Sequence, residues 1–342
     1  MKPEGIGVNK ILIIKPSALG DIVHTLPVLA AIRKRFPAAE IHWLVARGLH
    51  SFLEGHPMLD RLWIFDRERW RDLARLGRTG KELLAFRAAL RREKFDVSID
   101  LSGLLRSGLI TWAAGATLRL GFKDSDEGSW LFYNRKIPGD MSIHAVDRYL
   151  KFADFLGCDT SEVQFPFAPY EKNPPVMAGL PERYAVMVPS AGKEANRWPA
   201  DRFGGLAARL AMPLVLLGSS GDAGVTAEVA RFSGGRGIDL AGKTSLKELI
   251  PIIEKASFMV TNDTGPMHIA AALKVPVYAI FGPANPARTG PYGEIHTVIR
   301  TGIACSPCYR WKPCENWRCM EDISVDLVFE AINRGQQRLV GQ

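Results

Sequence analysis

The sequence predicts an α/β protein made of two doubly wound domains, and three observations predict it. Short apolar runs alternate with amphipathic helical stretches through both halves, the pattern of a mostly parallel sheet covered on both faces. The first such unit, Lys10 to Phe36, is already strand, glycine-bearing loop and helix in order. The pattern breaks over Gln164 to Pro181, which carries five prolines and little periodicity, and restarts at Tyr184.

Taken in order, Ile11 to Ile14 is an apolar run of strand length. The loop Pro16 to Gly20 leads into a helix whose Ile22, Leu26, Leu29, Ala30 and Ile32 recur at helical spacing. Glu40 to Ala46 and Leu62 to Phe65 read as strands, and Arg69 to Lys94 as a helix broken near Gly77 to Gly80. Asp96 to Leu101 is a strand, Leu104 to Ala114 a helix and Leu118 to Phe122 a short strand. Lys123 to Asp140 is irregular, and His144 to Leu156 is helical. In the second half Tyr184 to Val188, Leu214 to Leu217, Phe258 to Thr261 and Val277 to Phe281 are strands. Arg202 to Leu210, Ala223 to Phe232, Leu246 to Ala256 and Pro266 to Lys274 are helices. A chain of 342 residues suits two domains of roughly 150 residues each. The expected division is 1–165, then 182–322, with the helix in 323–342 packing back on the first domain. Two such domains leave a cleft between them, and clefts of this kind are common small-molecule sites.

Composition is that of a soluble globular protein, 47% apolar and 23% charged. No apolar run approaches the ~20 residues that span a bilayer, and the first ten residues lack a signal peptide's apolar core. A cytoplasmic location is expected. The net charge of +8 suits an anionic partner. From Arg67 to Lys94 ten lysines and arginines face four acidic residues. That run is either a solvated helical face or part of a site, since it begins in a loop at the sheet edge that also holds Asp21. A nucleic-acid-binding reading of the basic charge lacks a recognisable module and aromatic platforms.

The stretches that carry chemistry are loops that follow strands, where doubly wound sheets bind ligands. Asp21 stands on the first turn of the first helix, where a carboxylate is held ionised. Asp263, Thr264 and Gly265 end a strand and open a helix bearing His268. The free N–H groups of that turn form an anion site suited to phosphate, although a plain Asp cap with a core histidine gives the same spacing. The loop Ser190 to Arg202 brings Lys193 and Arg197 above a strand end, which suits a diphosphate. Gly218 to Asp222 follows the next strand, and Asp222 suits ribose hydroxyls.

There is no Walker loop, no H-E-x-x-H and no G-x-S-x-G. Cys305, Cys308, Cys314 and Cys319 are spaced C-x2-C-x5-C-x4-C, which suits either a structural zinc site or four reduced thiols in a packed loop. No cluster suggests a catalytic metal.

The chain resembles the ADP-heptose:lipopolysaccharide heptosyltransferases, glycosyltransferase family 9, across nearly its whole length. The matching stretches are KPSALGDIVHTLPVL, ERWR, LFYNRK and HAVDR, then KEANRWP, TNDTGPMHIAAA, FGPANPARTGPYG and the cysteine-rich tail. The resemblance implies a GT-B fold, two Rossmann-like domains with the active site in the interdomain cleft. It implies an inverting transferase that needs no cofactor, with ADP-heptose as co-substrate held by the C-terminal domain. It implies a Kdo-lipid A acceptor held by the N-terminal domain, and an enzyme peripheral to the anionic face of the inner membrane, with no nucleic acid. Asp21 matches the family's catalytic base. Asp263, Thr264, Gly265 and His268 match the donor loop, with Ser190 beside it, Asp222 at the ribose and Thr244 near adenine. Lysine is usual in the family immediately before the residue-Trp-Pro group, and here that position is Asn196. Lys193 or Arg197 is then left to meet the diphosphate. Lys15, Arg69, Arg71 and His144 match acceptor-facing positions. The loop Lys123 to Gly128 is acidic where an arginine is expected.

ERWR and HAVDR favour the transferase that adds the first heptose to Kdo. The cysteine-rich tail is closer to the one that adds the second. A nucleotide-sugar epimerase of the same fold would need a cluster of carboxylates and histidines around the sugar, which the sequence lacks.

Overall fold

The computed structural model describes residues 7–66 and 76–340, with only the backbone of 76–79 and 339–340. Arg69 and Arg71 lie outside the described residues. The chain divides into two compact units, Met1–Pro169 and Tyr170–Gln342, and the division falls inside the proline-rich stretch.

The first unit is a six-stranded sheet of β1 (Lys10–Ile14), β2 (Glu40–Ala46), β3 (Arg61–Phe65), β4 (Val97–Asp100), β5 (Leu118–Phe122) and β6 (Arg135–Ile137). Its order is β3-β2-β1-β4-β5-β6 and every pairing is parallel. Its helices are α1 (Leu19–Arg35), α2 (His50–Leu53), α3 (Leu76–Arg92), α4 (Leu105–Ala114) and α5 (Ala145–Phe155). Ile11 to Ile14 are fully buried, as a central parallel strand requires when both faces are covered. α3 runs without a break through Gly77 and Gly80, where the sequence suggested one.

The second unit repeats the plan with β7 (Ala185–Val188), β8 (Leu214–Leu216), β9 (Ile238–Asp239), β10 (Met259–Asn262), β11 (Val277–Ile280) and β12 (Thr297–Ile299). Its order is β12-β11-β10-β7-β8-β9, again all parallel. Its helices are α6 (Ala200–Arg209), α7 (Ala223–Phe232), α8 (Leu249–Glu254), α9 (Gly265–Ala272), α10 (Pro286–Thr289), α11 (Arg318–Glu321) and α12 (Val325–Val340). Trp198, Tyr184, Tyr278 and Phe203 are its largest fully buried side chains.

Three strands are absent from the sequence reading: β6, β9 and β12. Each is an edge strand of two or three residues, too short to show a pattern. The final helix also differs. The sequence reading packs it on the first domain, but α12 packs on α6, β11 and β12 of its own unit. Val328, Ala331 and Ile332 enter that unit's core. Gly335 makes this docking possible, because a Cβ there would lie 2.2 Å from the Tyr278 hydroxyl, which donates to the Ile332 carbonyl at 3.2 Å. Alanine is worth about 1 kcal/mol over glycine in an ordinary helix. Here overpacking reverses the sign: Gly335→Ala should cost roughly 1–3 kcal/mol. Chemical denaturation checks it, and a stabilised variant would contradict this packing.

Burial also sets the acid limit of stability. Burial lowers the pKa of His42 and His56 in the first unit. It takes His296 in the second from 6.5 to about 4, against a hydrogen bond to the Tyr292 backbone that favours the charged form. Such a histidine takes a proton more readily once unfolded. Its stability contribution is therefore complete above pH 6.5 and is lost as pH falls toward 4. Thermal melts from pH 7 to 4 should show this loss, and His296→Gln should make the decline shallower.

Candidate active site

In a doubly wound sheet the crevice for ligands opens where strand order reverses. In the first unit that point lies between β1 and β4. Lys15 follows β1, Asp21 stands in the first turn of α1, and Asp100 ends β4. The Lys15 backbone is fixed by β2, donating from its N–H to the Leu44 carbonyl and accepting from the Trp43 indole. Its side chain is 5% exposed. Nζ donates to the Leu101 carbonyl at 3.0 Å and to the Tyr149 hydroxyl at 2.9 Å, and lies 3.4 Å from Asp21 Oδ1. Burial alone would lower its pKa, but the Asp21 charge and Tyr149 outweigh it and hold it above the ordinary lysine value.

Tyr149 comes from α5, which packs along α1. Its hydroxyl donates to Asp21 Oδ1 at 2.9 Å, while Asp21 Oδ2 accepts from the Ala18 N–H at 3.0 Å. Burial and then the Asp21 charge push the Tyr149 pKa up to about 12, so its proton stays in that bond. Asp21 thus has both oxygens oriented, yet its side chain remains 37% exposed. A carboxylate held this way accepts a proton from a bound hydroxyl without reorganising. His144 caps α5, its Nδ1 accepting from the Val146 N–H at 3.1 Å, and its ring meets His24 of α1 at 5.1 Å.

Asp100 is fully buried beside this group. It accepts from the N–H groups of Ser102 and Gly103 and from the Tyr133 hydroxyl at 2.7 Å. Burial raises its pKa against those donors. Gly121 leaves the space that the Tyr133 ring fills, since a Cβ there would lie 2.1 Å from it. The acidic loop over 123–128 is partly neutralised within the unit. Asp124 lies 3.7 Å from Arg148, and Glu127 accepts from the Leu105 N–H.

In the second unit the reversal lies between β7 and β10. Asn262, at the end of β10, locks the two loops together. It accepts from the Trp198 N–H at 3.0 Å and donates to the Pro189 carbonyl at 2.9 Å. Asn196 then donates to Asp263 at 3.1 Å, so an amide stands where a lysine was anticipated. Thr264 caps α9, and the buried His268 lies one turn in. Arg197 donates through Nε to the Ala191 carbonyl at 2.8 Å, and Lys193 lies 5.0 Å from the Trp311 ring. Asp222 accepts from the Ser190 hydroxyl and from the Ser219 N–H and hydroxyl. Those bonds, with the Arg197 charge, outweigh burial and keep its pKa low. Thr244 follows β9, whose loop is tied to the previous one by a Gly242 N–H to Gly218 carbonyl bond.

The predicted residues therefore sort by unit. Lys15, Asp21 and His144 gather at the first switch point. Ser190, Lys193, Arg197, Asp222, Thr244, Asp263, Thr264, Gly265 and His268 sit on consecutive loops at one edge of the second sheet. The sequence reading missed Tyr149, Asp100 and Asn262. Only Asp100 carried a signal, as a carboxylate closing an apolar strand.

Among the described residues, the group with metal-ligand atoms within 4.8 Å of one another is Glu40, His42 and Glu93. The Lys10 ammonium already bridges its carboxylates, at 2.7 and 2.9 Å. The four tail cysteines lie outside that group and are free thiols. Burial and the neighbouring Cys308, Cys314 and Cys305 push Cys319 up to about 11.

A solved structure described as E. coli heptosyltransferase WaaC with ADP superposes with a TM-score of 0.75 at 26% identity. It covers 95% of this chain and 99% of that one. The two Rossmann-like units thus have the GT-B architecture of a glycosyltransferase. Residues 83–317 match the model of glycosyltransferase family 9 (heptosyltransferase). The chain belongs to that family. It is 31% identical to lipopolysaccharide heptosyltransferase 1 of Escherichia coli (strain K12), over 85% of this chain and 93% of the relative. It is 27% identical to lipooligosaccharide heptosyltransferase 2 of Haemophilus influenzae, over 85% and 88%.

Proposed function

We propose that this enzyme moves heptose from ADP-heptose to the Kdo residue of a lipid A-linked inner core, with inversion at the anomeric carbon. The observation that carries this reading is Asp21: an oriented carboxylate, open on one side, at the switch point of the first sheet. Asp21 takes the proton of the acceptor hydroxyl as its oxygen attacks the anomeric carbon. The bond from that carbon to the diphosphate breaks, and ADP leaves. Lys193 or Arg197, together with the free N–H groups that open α9, meets the charge on the leaving diphosphate. His268 donates to the same group. Asp222 holds the ribose and Thr244 the adenine side. Lys15 and His144, with Arg69 and Arg71, face the acidic sugars of the acceptor.

The donor assignment is supported by the neighbour solved with ADP, and the acceptor by the relative named heptosyltransferase 1. A second reading, transfer of the second heptose, is favoured by the relative named heptosyltransferase 2. ADP release from ADP-heptose, measured with Kdo-terminated and with heptose-terminated acceptors, separates the two. Turnover on the Kdo acceptor alone is expected, and turnover on the other alone would transfer the assignment.

A further inference from the structure

The first unit exposes an apolar, cation-rimmed face that neither its core nor the site described above uses. On α4, Leu105, Leu109 and Trp112 lie at i, i+4 and i+7, one stripe of a helix, and all are exposed. Beside it α3 carries Leu84, 64% exposed, on the stripe that continues through Arg87 and Arg91. The turn at 129–132 adds Trp130 and Leu131, the latter 67% exposed.

These pieces are contiguous. The guanidinium groups of Arg87 and Arg91 lie 5.0 and 5.9 Å from the Trp112 ring. Gly108 of α4 lets the turn approach, since a Cβ there would lie 2.8 Å from Phe132. The Lys136 ammonium lies 4.6 Å from the Trp130 ring. Each exposed indole thus has a cation beside it, and leucines project between them.

We infer that this face docks on a bilayer surface bearing anionic lipid. Indoles flanked by arginine or lysine suit the level of the headgroups, and exposed leucines beside them suit the start of the acyl region. The surrounding charge is complementary to anionic lipid. Lys81, Arg87, Arg91, Arg92 and Lys136 stand against Glu82, while the Glu127 carboxylate is occupied by the Leu105 N–H. A second copy of the chain pairing through the same face would oppose these cations to themselves. Among the described residues no helix is long and apolar enough to cross a membrane, so the contact is peripheral.

The face begins where the site ends. Lys15 donates to the Leu101 carbonyl, and Leu105 opens α4 four residues later. Docking there presents a lipid-anchored hydroxyl to the edge of the sheet that carries Asp21. This link to transfer rests on the proposed lipid A-linked acceptor, whereas docking itself does not.

The test is co-sedimentation of the full chain with phosphatidylcholine vesicles, with and without phosphatidylglycerol, followed also by tryptophan emission. Binding that needs phosphatidylglycerol, weakens with salt and shifts emission to the blue is expected. The variant Leu84→Glu/Leu131→Glu, with melting unchanged, should bind at least about tenfold more weakly. Its kcat/KM should fall for acceptor embedded in vesicles and stay unchanged for deacylated, soluble acceptor. No binding by the unaltered chain, or binding indifferent to the variant, overturns the inference. So does a dimer in sedimentation equilibrium that the variant dissociates while vesicles are ignored. Vesicle binding is measured without acceptor. Docking without turnover would therefore contradict the proposed function and leave the docking face standing.

Discussion

Asp21→Asn lowers kcat by about two to four orders of magnitude, the range for loss of a general base, and leaves ADP affinity unchanged. The amide keeps the shape of the carboxylate and the bond from the Ala18 N–H, so α1 still starts at the same place. It has lost the basic electron pair that takes the acceptor proton. Tyr149 donates to one carboxylate oxygen and Lys15 lies 3.4 Å from it, so the substitution also reduces a charge that two neighbours are arranged around. ADP affinity is the discriminating readout. The nucleotide is assigned to loops of the second unit, which share no hydrogen bond with Asp21. A collapse of ADP binding together with kcat would contradict that division. Steady-state kinetics and calorimetric titration of ADP read the two quantities separately.

Lys15→Met should be the more damaging change to stability. The Lys15 ammonium is nearly inaccessible to water and serves three acceptors at once: the Leu101 carbonyl, the Tyr149 oxygen and Asp21. Methionine fills a similar volume but satisfies none of them. Removing one partner of a buried ion pair typically costs about 3–5 kcal/mol, most of it from groups left unpaired. Asp21 is partly exposed and regains some solvation, so the lower end of that range applies. Activity should fall as well, because Tyr149 loses the cation that fixes its oxygen opposite Asp21. The chain has two units, so the loss should appear in the melting of the first alone. Unaltered melting would mean that the ammonium orients the site without stabilising the fold.

Much of this architecture is legible in the residues. Central strands such as Ile11 to Ile14 are buried on both faces and announce themselves as apolar runs. The edge strands β6, β9 and β12 do not, because two or three residues carry no period. The fate of α12 was hidden for another reason. Its apolar face shows that it docks, but only the fit of Gly335 against Tyr278 fixes where. At the site, side chains on strand-end loops are visible as glycine, acidic and basic residues in short clusters. Tyr149 is not, since its role depends on how α5 lies along α1, and a tyrosine inside an amphipathic helix looks like core. Asn196 shows the reverse case. A lysine was anticipated there, and the amide found in its place is explained by its bond to Asp263.

Both units present a strand, a polar loop and a helix N-terminus at a switch point, and either could in principle receive a phosphate. The central claim is that they differ: the second takes the donor's diphosphate, while Asp21 makes the first repel one and serve as the base. A crystal structure of the complex with ADP tests this most directly. The account predicts the diphosphate within hydrogen-bond distance of Thr264 and Gly265 at the start of α9, with no phosphate oxygen at Asp21. A diphosphate seated on the loop that precedes α1 would contradict it.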